Sequence, residues 1–327
     1  LGKLSPVKSS LRLYRTNPPE SQRTPCALTI GNFDGVHRGH QAILARLCQE
    51  AAERALTPSV MTFEPHPRAY FALKARRPEL IPTRISGLRD KLAALACHGI
   101  RQVMVERFDQ RLASLSAEDF VRRLLVQGLR TRWLMVGEDF RFGHQRSGDV
   151  TMLRQAGRRY GFTVETLADV TDSAGHRVSS SEVRSALAFG DMDRAAHLLG
   201  RPYAISGHVM HGRKLGRTLG FPTLNLRVPP RCAMRSGIYA ARLHGLSDAP
   251  LPSVASLGVR PTIEDAGRIL LEVHLLDAAV DAYGKLVRAE FLHRLRDEEK
   301  FPDLPTLTAA IAQDERDARA YFAVHGL

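Results

Sequence analysis

The hydrophobic pattern of this chain changes character once, near residue 200, and that change limits what it can fold into. Between about residues 26 and 168, short apolar runs alternate with stretches of helical spacing. "CALTIG" (26–31), "SVMTFEP" (59–65), "RQVMVERF" (101–108), "RWLMVG" (132–137) and "FTVETL" (162–167) read as strands, with helices expected over 40–54, 86–98, 116–127 and 148–160. Ser116 and Asp119 have the spacing of a capping box, and Gly99, Gly128 and Gly161 each stand where a helix should stop. Strands that are apolar on both faces need cover on both, which predicts a parallel sheet in an α/β domain. Past Gly200 the strands follow one another between Gly and Pro turns without helices, the pattern of a small antiparallel barrel or sandwich. A last helix is expected from about residue 303, with Leu307, Ile311, Ala318 and Phe322 on one face. The helical stretch "SSSEVRSALAFGDMDRAAHLLGRP" joins the two halves.

A chain of 327 residues suits two domains, and 44% hydrophobic with 25% charged residues is ordinary for a globular protein. The longest apolar runs, such as "LAALAC", fall far short of the ~20 residues a membrane span needs, so no membrane partner is expected. The first residues contain no apolar segment followed by a small-residue cleavage site, and no secretory signal is expected. Cys26, Cys48, Cys97 and Cys232 are scattered, without the spacing of a zinc site or disulfide framework, which fits a reducing cytoplasm. The net charge of +13 points to anionic partners. Lys and Arg are spread along the chain rather than gathered in one block, so phosphate-bearing small molecules are expected and nucleic acid is not.

Where the first strand turns into a helix the chain reads "TIGNFDGVHRGHQAI" (29–43). A helix N-terminus offers unpaired N–H groups and the positive end of a dipole, and Gly31 lets a ligand approach the backbone. His37 and His40 can both donate toward one bound anion there. A metal ligand pair and a plain polar turn are the other readings of two histidines three apart.

The string "GNFDGVHRGH" resembles the "GxFDxxHxGH" signature of the nucleotidyltransferase superfamily, which implies a Rossmann-like fold and ATP held by Gly31, Phe33, Asp34 and Gly39 with His37 and His40 as catalytic groups. "RVSSSEVRSAL" (177–187) resembles the same superfamily's "ISSTxIR" motif and implies that Ser180, Ser181 and Arg184 close on the triphosphate. "TFEPHPRAYF" (62–71) and "VGEDFRFGHQRSGDV" (136–150) stand at the carboxyl ends of expected strands, where open α/β sheets bind ligands. With the first string they resemble the FAD synthetase module of bacterial bifunctional riboflavin kinase/FAD synthetases. That resemblance puts Asp139 near the nucleotide or flavin, and His66 with Pro67 in the flavin pocket.

The second half resembles the kinase module of the same family. "GRKLGRTLGFPTLNL" (212–226) is similar to its "GRxLGxPTAN" signature, with Leu224 in place of the usual alanine. Thr223 and Asn225, two apart on an extended segment, point to one side as hard-oxygen ligands suited to Mg²⁺ and ATP phosphates, and Leu224 points to the other. The resemblance adds Gly216 and Gly220 as nucleotide-binding positions. In "RILLEVHLLD", Glu272 and His274 face away from Leu271, Val273 and Leu275, and the resemblance makes Glu272 the base for the riboflavin hydroxyl. "LRDEEKFPDLPTL" is similar to the family's segment before the last helix and implies a flavin-side place for Arg296, whose other reading is a salt bridge.

The expected organisation is therefore an extension at 1–25, an FMN adenylyltransferase domain at 26–189, a linker at 190–202 and a riboflavin kinase barrel at 203–327. Such a protein would use ATP and Mg²⁺ to make FMN and then FAD. The alternatives are another adenylyltransferase of the superfamily with an unrelated barrel, or a basic nucleic-acid-binding protein that has lost activity.

Overall fold

The computed structural model describes residues 11–167, 171, 175, 177–211, 220–259, 269–278 and 280–326. The chain packs as two compact units, Leu1–Pro82 with Leu92–Val178, and Thr83–Lys91 with Ser179–Leu327.

In the first unit the strands are β1 (Arg12–Tyr14), β2 (Cys26–Ile30), β3 (Thr57–Glu64), β4 (Gln102–Arg107), β5 (Thr131–Gly137) and β6 (Thr163–Leu167). They form one parallel sheet in the order β1-β4-β3-β2-β5-β6. All five residues of β2 are buried, as a central strand covered on both faces requires. The helices are α1 (Arg38–Glu53), α2 (Pro67–Lys74), α3 (Leu88–Cys97, in this unit from Leu92 on) and α4 (Val150–Tyr160). The helix expected over 116–127 starts at Ala117–Asp119, where Ser116 accepts the Asp119 amide at 3.1 Å, and continues in the wider π-type winding over Phe120–Gly128.

Three local features differ from the sequence reading. The segment read as a loop after β3 contains α2, with His66 as its cap and Pro67 in the first turn, the position where proline costs no hydrogen bond. Arg12–Tyr14, read as part of an extension, pairs with Gln102–Met104 as an edge strand. Gly128 does not provide a left-handed stop; the positive φ falls at Arg130 (50°), and a Cβ on Gly128 would collide with the Asn17 side chain.

The second unit holds α5 (Ser180–Phe189) and α6 (Met192–Leu199), then β7 (Tyr203–Met210), β8 (Thr223–Arg227), β9 (Gly237–His244), β10 (Leu251–Val259), β11 (Ile269–Leu275) and β12 (Leu286–Arg296). These six strands close into an antiparallel barrel in the order β10-β11-β8-β7-β12-β9. Leu226, Tyr239, Ala255, Leu257, Leu271 and Val273 lie on the inward face, fully buried. The last helix, α7 (Leu304–His325), is capped by Asp303, whose side chain accepts the Thr306 amide at 2.8 Å. Its Ala318 and Phe322 pack on Ile238, Ala240 and Val254. Those three belong to the set that alternates with the inward one, so α7 covers part of the barrel's outer face.

Candidate active sites

In the first unit β2 lies between β3 and β5, and all three run the same way. Their following loops therefore leave from one edge, which brings residues 31–37, His66 with Pro67, and Asp139 to the carboxyl side of the sheet. The strand order reverses between β2 and β5, the place where open α/β sheets form a crevice.

The loop after β2 is held in an unusual shape. Phe33, Gly35 and Val36 have φ of 48°, 84° and 45°, and a left-handed backbone at a β-branched residue persists only when its surroundings impose it. Phe33 and Val36 are buried, and so is Asp34. The Phe33 ring covers Gly31, where a Cβ would lie 3.1 Å from it. The Thr62 hydroxyl donates to the Asn32 carbonyl at 3.1 Å, and the Gln41 amide side chain donates to the Val36 carbonyl at 2.9 Å. These contacts fix the entry into α1.

His37 caps that helix. It is 5% exposed, and its Nδ1 accepts the His40 amide at 3.4 Å, so in the neutral ring the proton sits on Nε2. The two imidazoles stack with centroids 3.7 Å apart, and Phe33 packs on His40 at 4.9 Å. A Cβ on Gly39 would fall 2.9 Å from the Val178 carbonyl oxygen and 3.1 Å from His37 Nδ1, so only glycine leaves the histidine ring its place. Asn32 Oδ1 is buried there without a hydrogen-bond partner, a polar atom suited to a bound donor. His66 is half-buried and its Nδ1 accepts the Arg68 amide at 3.1 Å, while Asp139 is exposed. Among the described residues no three His, Cys, Asp or Glu side chains gather as a metal-binding group.

Ser180, Ser181 and Arg184 lie in the second unit. Ser179 caps α5 by accepting the Glu182 amide at 3.3 Å, which places Ser180 and Ser181 in the first turn. Arg184 Nε donates to the Thr83 carbonyl at 2.7 Å.

In the barrel, register assembles what the sequence spreads apart. Asn225 on β8 stands opposite Glu272 on β11, and Thr223 stands opposite His274. Directly opposed residues share a face, so all four project on one side. The rows continue through Ser256, opposite Glu272, and Val254, opposite His274, to Ile238 and Ala240 on β9. The four thus occupy the outer face of the barrel, beside the part that α7 covers. Asn225 is 6% exposed, whereas Thr223 and Glu272 are half-buried. His274 Nδ1 donates to the Pro222 carbonyl at 2.9 Å, and the Phe221 ring meets it edge-on at 5.6 Å. Leu224 sits opposite Val273 on the inward set. Gly220 turns with φ of 87°, and Gly216 lies outside the described residues.

Arg296 is engaged elsewhere. Its guanidinium donates two bonds to the buried Asp314 carboxylate, at 2.6 and 2.7 Å, and a third to the Asp297 carbonyl at 2.9 Å. Phe301 packs under it at 5.6 Å. As placed, this fork clamps α7 to the end of β12. The hydrogen bonds to Asp314 raise the Arg296 pKa further, so the guanidinium stays charged.

Two family models match the chain in sequence order, FAD synthetase over residues 19–182 and riboflavin kinase over 199–322. The bifunctional riboflavin kinase/FMN adenylyltransferase of Escherichia coli (strain K12) is 45% identical over 94% of this chain and 96% of its own length. The protein of the same name from Pseudomonas fluorescens is 46% identical over 91% and 93%. Among solved structures, one titled a macrolide-efflux protein from Streptococcus pneumoniae superposes with a TM-score of 0.76 at 28% identity, covering 94% of this chain and 98% of that one. No described helix is long and apolar enough to cross a membrane. With both models matched in order and the relatives aligned over nearly their full lengths, the chain belongs to the bifunctional riboflavin kinase/FMN adenylyltransferase family.

Proposed function

We propose that the chain phosphorylates riboflavin with ATP to give FMN in its barrel region (203–327), and adenylylates FMN with a second ATP to give FAD through residues 26–189. The observation that carries the reading is the β8–β11 register, which sets Asn225 against Glu272 and Thr223 against His274. An adenylyltransferase working alone has no use for that face.

In the kinase step Glu272 accepts the proton of the riboflavin 5′-hydroxyl as that oxygen bonds the γ-phosphorus and ADP leaves. Thr223 and Asn225 offer two adjacent oxygen donors, few enough to suit Mg²⁺, which keeps several waters and shares phosphate oxygens. When bound, Mg²⁺ supplies charge neutralisation on the phosphates. Gly216 and Gly220 flank the nucleotide.

In the second step an FMN phosphate oxygen attacks the α-phosphorus of ATP and pyrophosphate departs. No covalent enzyme intermediate is needed, so the work is alignment and charge stabilisation. His37, with its proton on Nε2, and His40 donate to the phosphates at the α1 N-terminus, and the stacked rings are held ready by Phe33 and Gly39. Gly31, Asp34, Asp139, Ser180 and Ser181 line the nucleotide, Arg184 meets the triphosphate, and His66 with Pro67 borders the flavin. The four cysteines, none of them in a disulfide, and the use of ATP support a cytoplasmic setting, and the excess positive charge serves phosphate substrates rather than nucleic acid.

The test is one incubation of the full chain with riboflavin, ATP and Mg²⁺, with products separated by chromatography. FMN and FAD should both form, and His40→Ala should stop FAD while FMN accumulates. Absence of both products from the unaltered chain would overturn the reading.

A further inference from the structure

Gly258 stands near the end of β10, buried in a strand, where glycine usually marks the close approach of another group. That group is the Glu298 carboxylate, which occupies the space a Cβ on Gly258 would fill. The chain leaving β12 at Arg296 passes the start of β9, where the Arg296 carbonyl lies 2.7 Å from the Cβ position of Gly237, and then lays Glu298 over β10. Two bare backbone positions in succession make this route possible.

The residues leading up to Glu298 are held firmly. Asp297 is bound by Arg294 and by Arg235 at 3.0 Å, and its carbonyl accepts from Arg296, itself locked to Asp314. Arg235 is in turn tied down by the Tyr239 hydroxyl, which donates to its carbonyl at 2.6 Å. Groups supported in this way present a side chain in one direction, as a preorganised site requires.

The direction follows from register. Gly258 shares the outer face with Ser256, which stands opposite Glu272, and Gly258 itself stands opposite Leu270. Glu298 therefore sits one diagonal step, roughly 7–8 Å along the sheet, from the position of Glu272. It brings an exposed second carboxylate to the face where the phosphate acceptor is to be activated.

We propose that Glu298 is a specificity-determining residue of the kinase step, accepting a hydrogen bond from a donor group of riboflavin. The inference rests on the riboflavin kinase reading of the barrel. An ionised carboxylate can accept but not donate, and so favours a flavin N–H or ribityl O–H over the ATP phosphates, which it repels. Arg296 then contributes by positioning, as the clamp that holds the loop carrying Glu298.

Steady-state kinetics of the full chain test this. Glu298→Gln and Gly258→Ala, the second of which displaces the carboxylate without removing it, should each raise the KM for riboflavin about tenfold, the scale of one lost hydrogen bond to a charged group. The KM for ATP and the adenylylation of supplied FMN should not change, and the double variant should be no worse than the worse single one. N3-methylriboflavin identifies the donor: the Glu298→Gln effect disappears with it if the donor is the imide N–H and persists if it is a ribityl hydroxyl. A riboflavin KM within about twofold of wild type in Glu298→Gln, or a parallel loss of ATP affinity and adenylylation, would overturn the assignment. If the unaltered chain makes no FMN, the kinase reading fails instead.

Discussion

The two candidate sites are built in opposite ways. In the α/β unit the loop from Gly31 to His40 is contiguous, and the start of one helix is enough to stack His37 on His40. In the barrel, Thr223 and Asn225 meet Glu272 and His274 only because β8 and β11 pair in one register, with β9 and β10 between them in sequence. A local site survives small shifts of the sheet beneath it. A site made by register is as secure as the ladder, because a slip of one residue would turn Glu272 to the inward face.

The sharpest way to separate the two is Glu272→Gln, which keeps shape and register but removes the carboxylate proposed as the base. Riboflavin phosphorylation should fall by roughly 10²–10⁴-fold in kcat while FMN adenylylation is untouched, as product analysis with each substrate supplied separately will show. Next comes the clamp. Asp314→Ala leaves Arg296 without its buried partner and should cost the second unit about 3 kcal/mol, measured as a fall in denaturant midpoint. If stability holds but riboflavin affinity collapses, Arg296 faces the flavin after all. Leu224→Ala, on the inward set, should cost about 1–2 kcal/mol and change the kinase kcat by less than about threefold.

The smallest effect belongs to the α/β unit. Glu106, the last residue but one of β4, is 2% exposed, with Oε1 3.3 Å from Arg111 and Oε2 buried without a partner. Burial raises its pKa above the ordinary carboxylate value, against the pull of Arg111. A raised pKa in the fold favours the protonated state, so this contribution is complete below about pH 4, the unfolded value, and is lost as pH rises through the folded pKa. Glu106→Gln should therefore match wild type near about pH 4 and melt a few degrees higher near neutrality, as calorimetry across pH will show.

Residues whose signal is local were legible before the fold was. The capping pair Ser116 and Asp119, the helix start at His37 and the alternation around Glu272 all read directly, because each depends on a few neighbouring residues. His66-Pro67 carried a helix-start signal of the same kind that could have been read and was not. Arg12–Tyr14 could not be read as an edge strand, since three residues show no periodicity and their partner is Gln102–Met104, far along the chain. Arg296 could be read for a flavin or for a salt bridge, and the sequence did not name Asp314 as its partner because that residue sits a loop and most of a helix away. Gly258 was the one trace of Glu298, and a strand glycine does not say which side chain will cross it.

What the sequence determined by itself was the pair of folds, the order of the two regions and the kinds of chemistry each can support, since periodicity and short motifs are set by nearby residues. Only the tertiary structure decided which side chains share a face, that Asn225 meets Glu272, that Arg296 is spent on Asp314 and that Glu298 reaches Gly258. Those facts depend on strand register and on packing between distant segments, where the stabilising contacts form across the chain rather than along it.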